Sequence, residues 1–224
     1  MIIFLAASSL AISHILANYF EVKLQKKVEI LQSLSAGFSV AYVFLIIFPE
    51  IGVQQISGNV DGILAALIGF IFFHVTLKFI FRKNHEKHLE VYADWIHIIM
   101  NAFFNFLITF SVIELLQISI SQGTILLIII LIHSSLTEIT HPIRYSNLQT
   151  PKLIIISAAT ILGALAASLG IIDQTISGLL FAFTSGAIIY VSIREEIPQG
   201  SKGNPFLFVA GSVVMIITFL IFFN

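Results

Sequence analysis

The chain has 224 residues, of which 58% are hydrophobic and 10% are charged, and its mean hydropathy is +1.01. A soluble domain of this size cannot bury that much apolar surface, so the composition excludes a soluble globular protein and indicates an integral membrane protein. The net charge of -1 does not indicate which class of membrane protein this is. The lack of cysteine excludes disulfides, thiolate metal sites and cysteine nucleophiles.

Apolar stretches long enough to cross a bilayer recur along the whole chain. A spanning helix needs about 20 mostly apolar residues, and eight stretches meet this requirement. In chain order they are 2–20, 32–53, 60–81, 92–116, 123–141, 152–171, 174–196 and 205–223. We therefore predict an all-α, polytopic membrane protein with eight transmembrane helices in a single transmembrane domain.

The basic residues predict how these helices are oriented. All eleven lysines and arginines lie in or beside the first, third, fifth and seventh gaps between the helices. Cytoplasmic loops carry an excess of lysine and arginine. These four gaps should therefore be cytoplasmic, and we expect both termini to face outward. Residues 1–20 lack a basic n-region and a small-residue cleavage site, which predicts a retained helix and not a signal peptide.

The second and seventh predicted helices share a pattern. "SAGFSVAYVFLIIFPE" and "TSGAIIYVSIREEIPQ" both open with small residues and a glycine, and twelve residues separate Gly37 from Pro49 and Gly186 from Pro198. In the predicted topology the two helices cross the membrane in opposite directions. Small residues and terminal prolines are also common in unrelated membrane helices, so a coincidence stays open.

An inverted repeat would explain this match. It would divide the chain into a first three-helix repeat (1–81), a central helix pair (92–142) and a second three-helix repeat (152–224). Inverted repeats recur in secondary transporters, where the substrate lies near the midplane between the repeats. We therefore predict a 3+2+3 arrangement.

Polar side chains form rows on both helices of the central pair. On the fourth predicted helix His97, Asn101 and Asn105 recur at steps of four, which places them on one face. The fifth predicted helix carries two adjacent rows with the same spacing, His133 with Thr137 and His141, and Ser134 with Glu138. Because the two helices run antiparallel, we expect these rows to meet at matching depths in the membrane.

These residue types suit a borderline divalent ion such as Zn²⁺, Fe²⁺ or Mn²⁺, which binds imidazole, carboxylate and amide oxygen. A carboxylate within the bilayer is costly and needs a partner. The predicted ligands are His97, Asn101, His133, Thr137 and Glu138, and the predicted accessory residues are Asn105, Ser134 and His141. The alternative is that Glu138 and His141 only cap their helix and that the asparagines bond to neighbouring helices.

With this topology and these segments, the chain resembles the ZIP (Zrt/Irt-like) divalent metal transporters. "AGFSVAYVFLIIFPE" stands in place of that family's Gly-rich second helix, which ends in Leu-Pro-Glu, and "FTSGAIIYVSIREEIP" in place of its seventh. The third gap carries His85 and His88, where the family has a His-bearing cytoplasmic loop. The resemblance covers the whole chain and implies eight helices, both ends outside, 3+2+3 inverted repeats and a metal site on the fourth and fifth helices.

The metal motifs of that family are matched in part. The fourth helix of the family typically reads His-Asn-x-x-(Asp/Glu)-Gly, and this chain has "HIIMNA" (97–102). The fifth typically reads His-Glu-x-x-His-Glu, and this chain has "HSSLTE" (133–138). The resemblance therefore implies His97, His133 and Glu138 as ligands, Asn101 as a weakened ligand, and at most one bound ion.

Ionisable residues outside the central pair are further candidates for a transport pathway. His14 lies on the first predicted helix, Glu50 near the outer end of the second, and Glu195 at the inner end of the seventh. Each has a simpler interpretation, namely packing for His14, solvation for Glu50 and pairing with Arg194 for Glu195. His74 is expected near the interface, since Lys78 can extend to the cytoplasm.

Three functions stay open at this stage. The preferred one is a secondary carrier of divalent metal towards the cytoplasm, with the metal as substrate, no organic cofactor and no enzymatic activity. The second is an intramembrane, ceramidase-like zinc hydrolase with ligands His97, His133 and His141 and Glu138 as base. The hydrolase is the less favoured of the two because no aspartate is expected near the cluster within the apolar core. The third is a degenerate relative that binds no metal.

The location and partners follow from the same composition. We expect a multi-pass protein of a bacterial or archaeal plasma membrane, which contacts lipid and the metal ion but no nucleic acid. Whether it forms a homodimer is open.

Overall fold

The computed structural model describes residues 5–10, 12–13, 28–49, 59–83, 90–140, 148–193 and 203–222. Within these ranges the chain is helical apart from short turns and contains no β-strand, which confirms the predicted all-α class. Seven helices with defined bounds lie in the described ranges: α1 (Val28–Tyr42), α2 (Asn59–Lys83), α3 (Glu90–Ile118), α4 (Ile120–Thr140), α5 (Gln149–Ser168), α6 (Gln174–Val191) and α7 (Pro205–Phe222).

Six helices in the described part of the chain are long and apolar enough to cross a membrane. They are α1 with its continuation to Ile47, α2, α3, α5, α6 and α7, which match six of the predicted spans. The fifth predicted span corresponds to α4, whose described apolar part, Ile120–Ile132, is shorter. The first predicted span lies mostly outside the described residues. The helices are those of a multi-pass membrane protein, and the count of eight stays a prediction.

A wider helical turn follows α1. Residues Val43–Ile47 form a π-helix, and the N–H of Phe48 donates to Val43 O, five residues back. Pro49 explains this change, because proline has no N–H to donate and its ring clashes with the carbonyl group four residues earlier in an α-helix. The change of helical geometry therefore lies in the turn before Pro49, and the described helical residues continue as far as Pro49 itself.

The helices pack in pairs that join distant parts of the chain, α1 with α7, α2 with α6, and α3 with α5. Contacts advance together along α1 and α7, so these two helices run parallel. Near their starts the N–H of Asn204 donates to Ser33 Oγ at 2.9 Å, and further along Ser212 Oγ donates to Gly37 O at 3.0 Å. Parallel helices cross a membrane in the same direction, as the predicted topology requires of the second and eighth spans.

Glycines bring the backbones of α1 and α7 together. A methyl group at Gly37 would overlap the carbonyl group of Phe208, and a methyl group at Gly211 would overlap the carbonyl group of Leu34. Phe208 lies three residues before Gly211 on α7, and Leu34 lies three residues before Gly37 on α1. Such close approach through small residues is typical of helix packing in membranes, where apolar burial alone does not favour association.

The crossing of α2 and α6 has the same construction. A methyl group at Gly186 would overlap the carbonyl group of Ala66, and one at Gly69 would overlap that of Phe183. Here too the spacing is three residues, from Ala66 to Gly69 on α2 and from Phe183 to Gly186 on α6. We call these two contacts the glycine crossings.

The glycine crossings correspond to one another in the way that an inverted repeat requires. An inverted repeat exchanges the second predicted helix with the seventh and the third with the eighth. This exchange converts the crossing of α1 and α7 into the crossing of α2 and α6. The π-helical turns follow the same exchange, because residues 192–193 after α6 are π-helical and begin six residues before Pro198, just as Val43 lies six residues before Pro49.

The helices differ strongly in how far they are enclosed. On α3 every residue from 104 to 116 is buried except Phe106 and Glu114, which are half-buried. On α7 only Gly211 and Met215 are buried, although its sequence is the more uniformly apolar. In the described part of the fold, α3 therefore lies at the centre and α7 at the periphery.

A single residue separates α3 from α4. The N–H of Ser119 donates to Leu115 O at 2.7 Å, and the N–H of Gly123 donates to Ser119 O at 2.9 Å. Gly123 packs directly on the backbone of Leu116, because no side chain separates them. The chain thus folds back sharply at Ser119, and the two helices of the predicted central pair leave one turn side by side.

Candidate functional site

The polar row predicted on the fourth span lies on α3. The Asn105 side-chain amide donates to the backbone oxygen of Asn101 at 2.9 Å and to Asn101 Oδ1 at 2.8 Å. Asn105 is only 5% exposed, and His97 and Asn101 are half-buried. The structure therefore brings the two asparagines together on one face of α3.

The row continues beyond the residues that the sequence singled out. Thr109 stands one further step of four along α3 and is 1% exposed. Its hydroxyl, like that of Ser111, is buried without a hydrogen-bond partner in the part of the chain that the structure describes. We call the four residues His97, Asn101, Asn105 and Thr109 the α3 stripe. From its first residue to its last, the stripe rises twelve steps along the helix, or about 18 Å at 1.5 Å per residue.

The facing candidates lie on α4 and just beyond it. The backbone of α4 includes the positions of His133, Ser134, Thr137 and Glu138, whose side chains lie outside the described part of the structure, as does the whole of His141.

Their distance from the turn at Ser119 matches that of the α3 stripe. Asn105 lies fourteen residues before Ser119 and His133 fourteen residues after it, and Asn101 and Thr137 each lie eighteen residues from it. The predicted matching of depths thus agrees with the position of the turn.

A complete metal site is not formed by the described residues alone. Among them, no group of three or more His, Asp or Glu side chains could hold a metal ion. His97 is the one predicted imidazole ligand whose side chain lies in the described part, and the two predicted ligands His133 and Glu138 fall outside it. The site across α3 and α4 therefore stays a prediction.

One carboxylate near the α3 stripe was missed. Asp94 lies three residues before His97 and seven before Asn101, so all three fall on one side of α3. Its Oδ2 atom is shielded from solvent. The expectation concerned aspartates within the apolar core, and Asp94 lies at the edge of that core, as the third residue of the predicted span 92–116. Asp94 was not singled out in the sequence, although its spacing to His97 in "DWIH" was a usable signal.

The other candidates are placed as follows. His14, Glu50 and Glu195 lie outside the described residues, as do the loop residues His85 and His88. His74 is described, and its ring packs between Phe70, with centroids 6.5 Å apart, and Tyr190, with centroids 5.4 Å apart. It therefore serves as part of the aromatic contact between α2 and α6, while Lys78 is exposed as expected.

The fold and the α3 stripe define a multi-pass helical membrane protein with a polar row through its most enclosed helix. No protein-family model matches the chain, and no curated protein matches it in sequence.

Proposed function

We propose that the protein is a secondary transporter that carries a divalent metal cation, Zn²⁺, Fe²⁺ or Mn²⁺, across the plasma membrane towards the cytoplasm. The observation that carries this proposal is the α3 stripe. Polar groups in a membrane interior are costly and mark substrate or ion pathways. Here they follow one face of the most enclosed helix for three consecutive steps of four residues.

Helix packing alone explains the stripe less well. The bond between the Asn105 amide and Asn101 lies within α3, so it does not by itself hold α3 to a neighbouring helix. The Thr109 hydroxyl makes no hydrogen bond to the described residues, although a buried hydroxyl without a partner costs about 1–3 kcal/mol. The buried hydroxyl of Thr109 is therefore better explained by a polar solute than by helix packing.

The surrounding helices support the same proposal. The two glycine crossings have equivalent contacts, and they correspond under the exchange of an inverted repeat. Inverted repeats in transporters place the substrate between two halves that can rock against it in opposite senses. The central hairpin of α3 and α4 occupies that position in the proposed arrangement.

The proposed roles follow from the donor atoms. His97, His133 and Glu138 would replace water on the ion, and Asn101 and Thr137 would add neutral oxygens. Asn105 holds the side chain of Asn101 in place through its amide. A site with one carboxylate and several neutral ligands binds a divalent ion less tightly than one rich in carboxylates, which suits a carrier that must release its substrate.

Uptake by purified protein in proteoliposomes tests the proposal. The key variant is His97→Phe, which removes the imidazole nitrogens but keeps a ring, and the matched control is His74→Phe, which does the same between Phe70 and Tyr190. We expect saturable uptake of at least one of Zn²⁺, Fe²⁺ and Mn²⁺ by the wild type and by the control, and its loss in His97→Phe. Equal uptake by both variants would contradict the proposal.

A second candidate function is favoured by Asp94. A zinc hydrolase within the membrane, of the ceramidase-like kind, uses His and Asp ligands and a metal-bound water, and Asp94 supplies a carboxylate one turn from His97. Stoichiometric zinc in the purified protein without any flux, together with hydrolysis of a lipid amide such as ceramide, would favour this candidate over transport.

A further inference from the structure

A lysine lies buried in the fold. Lys152, on the first turns of α5, is only 6% exposed, and it interacts with other groups of the protein. Lysine is almost never this buried unless its charge is paired, and the penalty is larger in a membrane protein. A carboxylate should therefore lie within reach of the Lys152 ammonium group.

The contact between α3 and α5 fixes which part of α3 faces Lys152. A methyl group at Gly163 would overlap the carbonyl group of Phe106. Further along both helices, the Gln117 amide donates to Ala167 O at 3.4 Å. Later residues of α3 meet later residues of α5, so the two helices run parallel.

Burial then identifies the facing residues towards the start of each helix. On α3, Ile98 and Ala102 precede Phe106 at steps of four and are buried. On α5, Ile156 and Thr160 lie at the same steps from Lys152 and are fully buried. Two rows at steps of four that face each other are the usual contact between packed helices.

The same rows lead to Asp94. Asp94 lies twelve residues before Phe106, and Pro151 lies twelve residues before Gly163, so Asp94 and Lys152 fall in the same layer of the contact. The Asp94 Oδ2 atom is shielded from solvent. In the predicted topology this layer is the cytoplasmic end of the α3 stripe.

We propose that Asp94 and Lys152 form a buried ion pair, in which the Lys152 ammonium group occupies the place that a divalent cation would otherwise take at the Asp94 carboxylate. The pairing itself needs no metal. Its role as a tethered counter-ion rests on the proposed transport function. Asp94 lies on the same side of α3 as His97 and Asn101, so without the lysine its carboxylate would offer a second cation position beside the first.

The ion pair would limit the number of metal ions that one chain can bind. An ammonium group and a divalent ion compete for the same carboxylate oxygens, and the lysine is always present at high local concentration because it belongs to the chain. Lys152 thereby keeps the inner end of the stripe from holding a second ion that would be slow to leave.

Thermal unfolding in detergent tests the pair. The variants are Asp94→Asn, Lys152→Met and the double variant, and Lys78→Met is the control because Lys78 is exposed on α2. We expect each single change to lower the melting temperature by several degrees, because it leaves one buried charge alone. The double variant should lose less than the two single losses together, and the control should melt like the wild type. Additive losses would overturn the pair.

Zn²⁺ binding by equilibrium dialysis tests the counter-ion role separately. We expect Lys152→Met to bind one more Zn²⁺ per chain than the wild type, and the double variant to bind the wild-type number. An unchanged number in Lys152→Met would overturn this role while leaving transport intact. Zinc bound by Lys152→Met but not by the wild type would support it and count against the transport proposal. No zinc in either protein would overturn the counter-ion role and exclude Zn²⁺ as the transported ion.

Discussion

The side-chain amide of Asn105 donates to Asn101 Oδ1 at 2.8 Å, so the two asparagines of the α3 stripe form one hydrogen-bonded unit. The deeper of the two, Asn105, orients the more accessible Asn101. A ligand that is held in place by a second residue loses affinity when that residue is removed, by roughly 10- to 100-fold in known metal sites.

We therefore expect Asn105→Ala to raise the KM for metal uptake about tenfold, with a smaller change in the maximal rate. The measurement is initial uptake into proteoliposomes over a range of metal concentrations. Gln117→Ala is the matched control, because Gln117 is another amide on α3 whose bond goes to Ala167 O near the far end. If both variants change KM equally, Asn105 does not act through the site.

Thr109 and Ser111 allow a sharper comparison of the two sides of α3. Both hydroxyls are buried without a hydrogen-bond partner among the described residues. Since each residue turns the helix by about 100°, the two side chains point in nearly opposite directions, and only Thr109 lies on the stripe.

Removal of either hydroxyl should leave stability unchanged or raise it by about 1 kcal/mol, because a buried unsatisfied group is lost. We expect Thr109→Val to lower metal uptake several-fold and Ser111→Ala to leave it unchanged. The melting temperature and the uptake rate of each variant check this. A Thr109→Val variant with normal uptake would show that the outer part of the stripe does not line the pathway.

Acid should weaken transport. Metal binding needs neutral imidazole and ionised carboxylate, so protons compete with the ion for His97, His133 and Glu138. We expect uptake to fall as the outer pH is lowered from about 7.5 to 5, the range in which histidine commonly changes charge. A rate that stays flat over this range, in liposomes shown to remain sealed, would count against a site built from these ligands.

A glycine-to-alanine substitution should destabilise the two glycine crossings to the same extent. Gly37→Ala and Gly186→Ala each place a methyl group on a facing carbonyl group, and we expect each to destabilise the protein by about 1–3 kcal/mol, the usual cost of overpacking. Ala158→Leu is the control, because Ala158 is exposed on α5 and its larger side chain meets lipid. Melting temperatures in detergent give the comparison, and a loss at only one glycine would argue that the crossings are not equivalent.

Much of the fold follows from local sequence. The length of each apolar stretch predicted the helices, and the described bounds differ from the predicted ones by a few residues. The predicted seventh span, 174–196, begins with α6 at Gln174 and continues past Val191 into π-helical residues. The shared spacing from glycine to proline also pointed to Gly37 and Gly186, which both prove to lie in helix crossings.

The pairing of the helices could not be predicted in this way. Most of these helices are apolar on all sides, so the sequence does not show which side meets protein and which meets lipid. Gly69 and Gly211 were not singled out because no proline follows them at the same spacing, although they complete the crossings. Asp94 was missed for a related reason, since the sequence does not show that its Oδ2 atom is shielded from solvent.

The glycine crossings also determine when the protein can finish folding. Asn204 and Ser33, which bond beside the first crossing, are 171 residues apart in the chain. Because helices insert one after another, the side of α1 that carries Gly37 has no partner helix in the membrane until α7 has been synthesised. Because helices first insert and then associate, the last span closes the bundle, and a chain that ends before Pro205 leaves α1 open to quality-control proteases.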